Sequence, residues 1–251
     1  MIWWKPLKFP AGFARYDLHV HTTASPDSII APRTLVRSAK KLGLHGVAIT
    51  DHDTLAGIPA VRRENDDSDF LVVPGVEIKT PLGEVGAYFL DEMPNCGTED
   101  VPALLEEIVE LGGFPFLPHP FDWSRNSSLD PSRLPAKVFP RPISCVEVLN
   151  SRCTFNKSVE RANDFALRRG LTRTGGSDAH VPGELGTGAT LIRLSDKPSD
   201  LEEFRNVLER GACLPCGLRS PVVVHACSTL NKVFRRVTGR VGRFNLPRPF
   251  R

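Results

Sequence analysis

The chain has 251 residues, of which 41% are hydrophobic and 24% charged, so one large globular domain can form without disulfides or structural metals. A net charge of only +3 argues against a general nucleic-acid binder. No apolar stretch approaches a membrane span, the first residues lack a signal-peptide core, and six cysteines, taken as reduced, favour a cytoplasmic location.

Short apolar strands alternate with helical patterns, which is typical of an α/β protein. Strands are predicted, in chain order, at residues 17–20, 47–49, one strand region covering 71–73 and 76–78, then 84–90, 114–117, 146–149, 171–174 and 190–194. Helices are predicted at residues 32–42, 101–111 and 156–169, and a last helix ends at Leu208. Ser199 and Glu202 form a predicted capping box for this last helix. About seven or eight strands with interleaved helices are compatible with a β/α barrel.

Three segments follow from this pattern. Residues 15–220 form one predicted domain, because no low-complexity linker interrupts them. Residues 1–14 precede it as an N-terminal extension, and residues 221–251 follow it as a basic amphipathic tail. Nucleic acid, an anionic membrane surface or an acidic partner all suit such a tail, and a packed helix with a disordered basic end is the favoured alternative.

Potential metal ligands recur where the predicted strands end. His19 and His21 point to the same face of a strand, because side chains at i and i+2 do so. The later strand ends carry Asp51, His52, Glu77, His119, Asp178 and His180. Active sites of barrels lie at the carboxyl ends of the strands, so these side chains are expected to converge at one end of the barrel.

Five segments that carry these residues resemble, in order and spacing, the motifs of the PHP (polymerase and histidinol phosphatase) superfamily. They are Asp17-Leu18-His19-Val20-His21-Thr22, Ile49-Thr50-Asp51-His52-Asp53, Pro74-Gly75-Val76-Glu77-Ile78, Pro118-His119-Pro120 and Gly176-Ser177-Asp178-Ala179-His180. The resemblance implies a distorted, TIM-like (β/α)7 barrel that holds two or three divalent metal ions and hydrolyses phosphoesters.

The resemblance also implies a ligand scheme. His19, His21 and Asp178 would hold a first metal, Glu77 would bridge the first and second, and His119 would bind the second. A third metal would be held by Asp27, His52 and His180, although Asp27 also suits a simple turn.

The chain departs from many relatives at the second metal. Where they supply a histidine after the Glu77 motif, this sequence offers Glu84, either a ligand or an exposed turn acid. A carboxylate there favours harder ions such as Mn or Mg, and Mn, Zn and Fe all remain candidates for the site. Asp51 either orients a histidine from behind the ligands or stabilises its own turn.

Substrate contacts are predicted beside these ligands. Asn150 and Arg152 follow a strand and suit phosphate binding, although a surface loop explains Arg152 equally well. The loop 122–142 carries Arg125, Arg133 and Arg141 and is interpreted as either a lid or a solvated connection. Asp178 or His180 could also carry protons to the leaving oxygen as catalytic residues.

Three functions are compatible with these residues. The leading hypothesis is a metal-dependent phosphoesterase that acts on a small phosphomonoester or a nucleotide through a metal-activated water. The first alternative is a nuclease that trims short oligonucleotides with help from the basic tail. The second is a non-catalytic metal-binding scaffold, against which the near-complete ligand set argues. The sequence does not specify an oligomeric state.

Overall fold

A computed structural model describes residues 9–220 and, beyond them, residues 230, 233, 234, 237 and 238. Its strands are β1 (Phe13–Val20), β2 (Gly46–Ile49), β3 (Leu71–Thr80), β4 (Gly83–Tyr88), β5 (Phe114–Leu117), β6 (Cys145–Asn150), β7 (Thr172–Gly176), β8 (Gly188–Arg193) and β9 (Leu214–Gly217). Its α-helices are α1 (Pro32–Lys41), α2 (Gly57–Glu64), α3 (Val101–Glu110), α4 (Asn156–Arg169) and α5 (Leu201–Glu209).

The strands β1 to β7 form a nearly closed barrel. They are hydrogen-bonded in sequence order, and every neighbouring pair is parallel except β3–β4 and β4–β5, because β4 runs in reverse. The ends of β1 and β7 meet where the His21 N–H donates to the Ala179 carbonyl over 3.0 Å and the Asp178 N–H donates to the His19 carbonyl over 2.8 Å. The predicted distorted barrel is therefore confirmed, and β8 and β9 extend the sheet beyond β1 as antiparallel strands.

Helical spacing and end signals explain where the predicted helices form. In α1, Pro32 occupies the first turn, and Leu35, Val36 and Ala39 share one buried face. Helix α4 ends at Gly170, whose φ of 64° lies in the left-handed region that glycine adopts without cost. Both helices were expected from these signals.

The predicted strand region of residues 71–73 and 76–78 is one strand, β3, which continues through Pro74. Two other parts of the prediction need correction. The capping box of α5 lies one residue later than predicted: the N-cap is Asp200, which accepts from the Glu203 N–H, while Glu203 accepts from Ser199. Helix α2 and strand β9 were not predicted.

An apolar cluster fills the barrel interior. It draws residues from β1 to β6 and β8, and Phe204 of α5 joins it. The Phe204 ring lies 4.7 Å from that of Tyr16, early in β1, and 6.4 Å from that of Phe89, which follows the reversed β4. Helix α5 therefore covers the end of the barrel where the parallel strands begin. The other end, at which the parallel strands finish, is called the mouth below.

Asp17 ties β1 to the segment that follows β7. Its buried carboxylate accepts from the Ser177 N–H over 2.8 Å, from the Ser177 hydroxyl over 2.6 Å and from the Gly186 N–H over 2.8 Å. We expect Asp17→Ala to lower the free energy of unfolding by about 3 kcal/mol or more, because three buried donors lose their acceptor. Urea denaturation measures this change. The exposed Asp164 of α4 provides the control, and equal midpoints for D17A and D164A would contradict the prediction.

Only part of the predicted tail falls within the described residues. Leu230, Val233, Phe234 and Val237 are helical with exposed side chains, whereas the tail arginines and residues 1–8 lie outside the described residues. Within the part of the chain that the structure describes, no helix is long and apolar enough to cross a membrane.

Candidate metal centre

All nine predicted metal ligands lie together at the mouth of the barrel. Eight of them are buried and His52 is nearly so. They come from β1, from the turn after it, from the segment after β2, from the β3–β4 hairpin, and from the segments after β5 and β7. The set is His19, His21, Asp27, His52, Glu77, Glu84, His119, Asp178 and His180.

Glu77 occupies the middle of the cluster. Its Oε2 lies 3.4 Å from Nε2 of both His19 and His21 and 3.2 Å from Nδ1 of His52. Its Oε1 lies 2.9 Å from Nε2 of His119. A single carboxylate thus faces four imidazoles, which is the geometry a bridging ligand requires.

His19, His21 and Asp178 form one tight group. The two histidine Nε2 atoms are 3.1 Å apart, and Oδ1 of Asp178 lies 3.6 Å from His19 Nε2 and 3.3 Å from His21 Nε2. The strand pairing that closes the barrel brings Asp178 beside residues more than 150 positions earlier in the chain.

A second group surrounds Asp27. Its carboxylate oxygens lie 3.6 Å from His52 Nε2 and 3.5 Å from His180 Nε2. His180 Nδ1 lies 2.8 Å from the backbone carbonyl of Asp178. A carbonyl only accepts, so Nδ1 carries a proton and Nε2 is the ring nitrogen that faces Asp27. The two nitrogens of His52 face different carboxylates, because Nδ1 lies towards Glu77 and Glu84.

The reversed strand β4 brings Glu84 into the cluster. Glu84 opposes Lys79 in the β3–β4 hairpin, so the start of β4 lies at the same end of the barrel as the end of β3. Glu84 is 3% exposed, and its carboxylate oxygens lie 3.6 Å from His52 Nδ1 and 3.6 Å from His119 Nε2. The alternative of an exposed turn acid is therefore wrong.

Two residues of the cluster have strained backbones. His119 and Asp178 have φ values of 29° and 55°, which L-residues with a side chain seldom adopt. Such conformations persist where the surrounding structure imposes them and are concentrated at functional sites.

Charge in the cluster is divided between neutral and protonated imidazoles. Burial and the neighbouring His180 lower the pKa of His21 to about 4, and burial and His21 lower the pKa of His52 to about 3. Burial also disfavours charge on His19, but Glu147 and Glu77 outweigh it and raise the pKa of His19 well above its ordinary value.

The carboxylates of the cluster also differ in pKa. Burial opposes the ionisation of Asp178, but Arg125 and His19 hold its pKa well below the usual range. Burial and the nearby Glu77 instead raise the pKa of Glu84 to about 7. The cluster therefore combines a carboxylate that stays ionised, Asp178, with one that binds a proton near neutral pH, Glu84.

Glu147 is the most prominent contact that the sequence analysis missed. Both of its oxygens lie 3.1 Å from His19 Nδ1, and Oε2 also accepts from the His119 N–H over 2.9 Å. His19 therefore directs Nδ1 to Glu147 and Nε2 into the cluster, so Glu147 fixes the orientation of the ring. A lone acid within the apolar strand β6 is the signal that could have identified it.

The loop 122–142 also reaches the cluster. Arg125 donates to Oδ2 of Asp178 and, over 3.0 Å, to Oδ1 of Asn150. Within the same loop, Asp122 lies 3.0 Å from Arg125 Nε. The loop is therefore more than a solvated connection.

The remaining predicted residues occupy the surrounding layer. Asn150 donates to Glu147 over 3.0 Å and to Asp178 over 3.3 Å. Arg152 lies outside the ligand cluster, with Nε 3.3 Å from Oε1 of the buried Glu184. Glu184 also accepts from the His180 N–H over 2.8 Å, so it joins Arg152 to the cluster.

Within the described residues, no hydrogen bond or ion pair joins Asp51 to a histidine ring. It accepts from the Thr22 N–H over 2.6 Å and from the Ser25 hydroxyl over 2.8 Å, and Ser25 Oγ lies 3.2 Å from His21 Nδ1. Asp51 thus stabilises the turn after β1 and reaches His21 only through Ser25.

The donor set fits divalent cations. The ligands form four overlapping groups of three residues. Within each group, one potential ligand atom from every residue lies within 4.8 Å of the other two. The groups are His19–His21–Asp178, His19–Glu77–His119, His52–Glu77–Glu84 and His21–His52–His180. The buried Nδ1 of His52 makes no hydrogen bond with any described residue. Buried charges are usually paired or coordinate metals, and mixed imidazole and carboxylate donors suit Mn, Fe and Zn.

A TIM-like barrel with such a cluster at its mouth defines a metal-dependent hydrolase class, and comparisons with known proteins agree. The PHP domain profile matches residues 17–111, and the PHP-associated profile matches residues 157–213. An uncharacterized protein of Methanocaldococcus jannaschii, MJ0417, is 32% identical over 203 residues, which cover 78% of this chain and 79% of that protein. The chain belongs to the PHP family, and the prediction of a hydrolase acting on phosphoester bonds is confirmed at the level of this family.

One solved structure and one further sequence relative add to this comparison. A two-domain protein of Bacteroides vulgatus, described as containing a predicted PHP-like metal-dependent phosphoesterase, has the same fold with a TM-score of 0.69 at 20% identity, over 85% of this chain and 68% of that one. The 5'-3' exoribonuclease Rnm of Salmonella typhimurium is 52% identical over 67 residues, which are 26% of this chain and 22% of that enzyme.

Proposed function

We propose that the protein hydrolyses a phosphoester of a small phosphorylated molecule or nucleotide at a centre of two or three divalent cations. The observation that carries this proposal is the buried cluster at the mouth, where Glu77 faces four imidazoles within 3.4 Å.

The contacts support a division of the ligands into three groups. His19, His21 and Asp178 would hold one cation, and Glu77 would be shared with a second that His119 and Glu84 would also hold. Asp27, His52 and His180 would hold the third. Mn, Zn and Fe suit this mixed donor set, and the carboxylate of Glu84 shifts the preference towards Mn.

Each part of the centre has a chemical task. Divalent cations held by these residues would supply the positive charge that neutralises the phosphate and lowers the pKa of an attacking water. Asp178 and His180 are the proposed proton carriers. Asp178 directs Oδ1 into the cluster, and Arg125 holds its Oδ2. His180 directs Nε2 towards Asp27, and the backbone carbonyl of Asp178 holds its Nδ1. Arg152 and Asn150 border the cluster and are the proposed phosphate contacts, with Arg125 as a third.

Turnover on a substrate panel tests the proposal. We expect purified protein supplied with Mn²⁺, Fe²⁺ or Zn²⁺ to hydrolyse at least one phosphomonoester or nucleotide, with phosphate release as the readout. Retention of bound metal without hydrolysis of any phosphoester would instead favour the non-catalytic scaffold.

A nuclease is the second candidate, favoured by the 52% identity to the 5'-3' exoribonuclease Rnm over 67 residues. If the protein is a nuclease, we expect it to release nucleotides from short single-stranded oligonucleotides at a rate that falls with added salt. Robust turnover of mononucleotides without cleavage of such oligomers would exclude it.

Glu147 provides a test of how the first group is oriented. We expect Glu147→Gln to weaken metal affinity by about 10- to 100-fold, because the amide no longer fixes the His19 ring as firmly as the carboxylate does. Metal titration measures the change, with the exposed Glu160→Gln in α4 as the control. Unchanged affinity in a stably folded E147Q protein would contradict this role for Glu147.

A further inference from the structure

Two aromatic side chains stack at the protein surface. The rings of Trp123 and Phe155 are nearly parallel, with centroids 4.1 Å apart and planes inclined by 19°. Phe155 covers one face of the Trp123 indole, yet 67% of Trp123 is exposed to solvent. Most of the exposed area therefore belongs to the other face and the edges of the ring.

Both aromatic residues belong to loops that border the metal centre. Trp123 is two residues from Arg125, which donates to Asp178, so the two Cα atoms are at most about 7.6 Å apart. Phe155 is three residues from Arg152 at the end of β6. Ser124 donates to Thr154 over 3.4 Å, which links the two loops beside the stacked pair.

Arginines lie on the chain segments next to the pair. Arg219 donates to the Thr154 carbonyl over 2.6 Å, so three arginines (Arg125, Arg152 and Arg219) lie on segments next to the aromatic rings. A flat, open aromatic face beside cationic groups and a phosphoester centre matches one kind of molecule, a planar ring system joined to a phosphate.

We propose that the open face of Trp123 stacks with the base of a nucleotide whose phosphoester lies in the metal centre. The inference rests on the proposed function and narrows its substrate class to nucleotides, free or at the end of an oligonucleotide. Phe155 supports the indole from behind, and Arg125, two residues along the same loop, reaches the metal centre through Asp178. Stacking of this kind tolerates any base, because every base presents a π face.

A pair of matched substrates tests the stacking. Adenosine 5'-monophosphate and ribose 5-phosphate carry the same phosphoester, but only the first has a base. With Mn²⁺ present, Trp123→Ala is expected to reduce kcat/KM for the nucleotide by about 10-fold or more and to change that for ribose 5-phosphate by less than about 2-fold. Trp123→Phe, which keeps an aromatic face, should recover much of the loss.

Leu167→Ala is the matched control, because Leu167 is similarly exposed at 56% but lies in the last turn of α4, at the opposite end of the barrel. It should leave both substrates unaffected. Equal losses on both substrates in W123A would overturn the proposal, because a base-specific contact cannot affect a base-free substrate.

Binding separates this inference from the proposed function. Adenosine 5'-monophosphate, but not ribose 5-phosphate, should quench the tryptophan fluorescence, and the quenching should disappear in W123F while Trp3 and Trp4 remain. Quenching without hydrolysis of any phosphoester would support the base site and overturn the proposed function. Hydrolysis of the nucleotide with no quenching and no effect of W123A would overturn the base site alone.

Discussion

Glu77→Gln is expected to lose most of the bound metal and to hydrolyse phosphoesters at least about 100-fold more slowly than the wild-type protein. Glu77 faces His19, His21, His52 and His119, so its carboxylate is the one group in contact with every part of the proposed centre within the described residues. Glutamine preserves the size of the side chain and removes the negative charge, so the loss reports ligation more than packing.

Two measurements make this result interpretable. Elemental analysis counts the metal ions per chain, and phosphate release gives turnover on the best substrate. Glu106→Gln, at an exposed position of α3, is the matched control and should match the wild type in both. Full metal content together with full activity in E77Q would rule out a bridging role for Glu77.

Metal binding is expected to strengthen by about 100-fold between pH 6 and pH 8 if one proton is displaced per bound ion. Glu147 and Glu77 raise the pKa of His19 against the opposing effect of burial. Burial and Arg152 act against the charge of His180, but Asp27 outweighs them and raises its pKa. Both rings therefore hold protons at pH 6 in the metal-free protein, and a cation must displace those protons to bind.

The sign of the effect follows from these directions. As the pH rises, the protons dissociate without help from the metal, so the apparent affinity increases. Glu84, with a pKa raised to about 7 by burial and by Glu77, contributes in the same direction. Calorimetric titration with Mn²⁺ in two buffers of different protonation enthalpy counts the released protons. An affinity independent of pH, with no proton release, would contradict the prediction.

Local sequence signals were sufficient for most of the barrel. The short apolar run of β1, the Pro32 start of α1 and the Gly170 end of α4 each have a short-range physical cause, and each was predicted. Helix α2 and strand β9 lack such signals, because α2 contains Gly57 and Pro59 and β9 contains Pro215 and Gly217. Tertiary packing forms these two elements against their local preferences.

The residues of the candidate site also divide into those that the sequence predicted and those that it did not. His19 and His21 are identified by their spacing, and the other predicted ligands by their place at strand ends. Glu147 and Arg125 were not assigned to the centre, because β6 has no motif at Glu147 and a long loop does not reveal that Arg125 turns inwards. Their places depend on pairing between distant strands and on loop conformation, which residue type and spacing do not encode.

The overlap of the four ligand groups limits how many ions the centre can hold independently. A neutral imidazole has one lone pair, so each histidine can bind one cation at a time. His19, His21 and His52 each belong to two of the groups, and His52 presents opposite ring nitrogens to its two sets of neighbours. The four groups therefore cannot all be filled at once through their histidines, and the proposed division among three cations respects this limit because it uses each histidine only once.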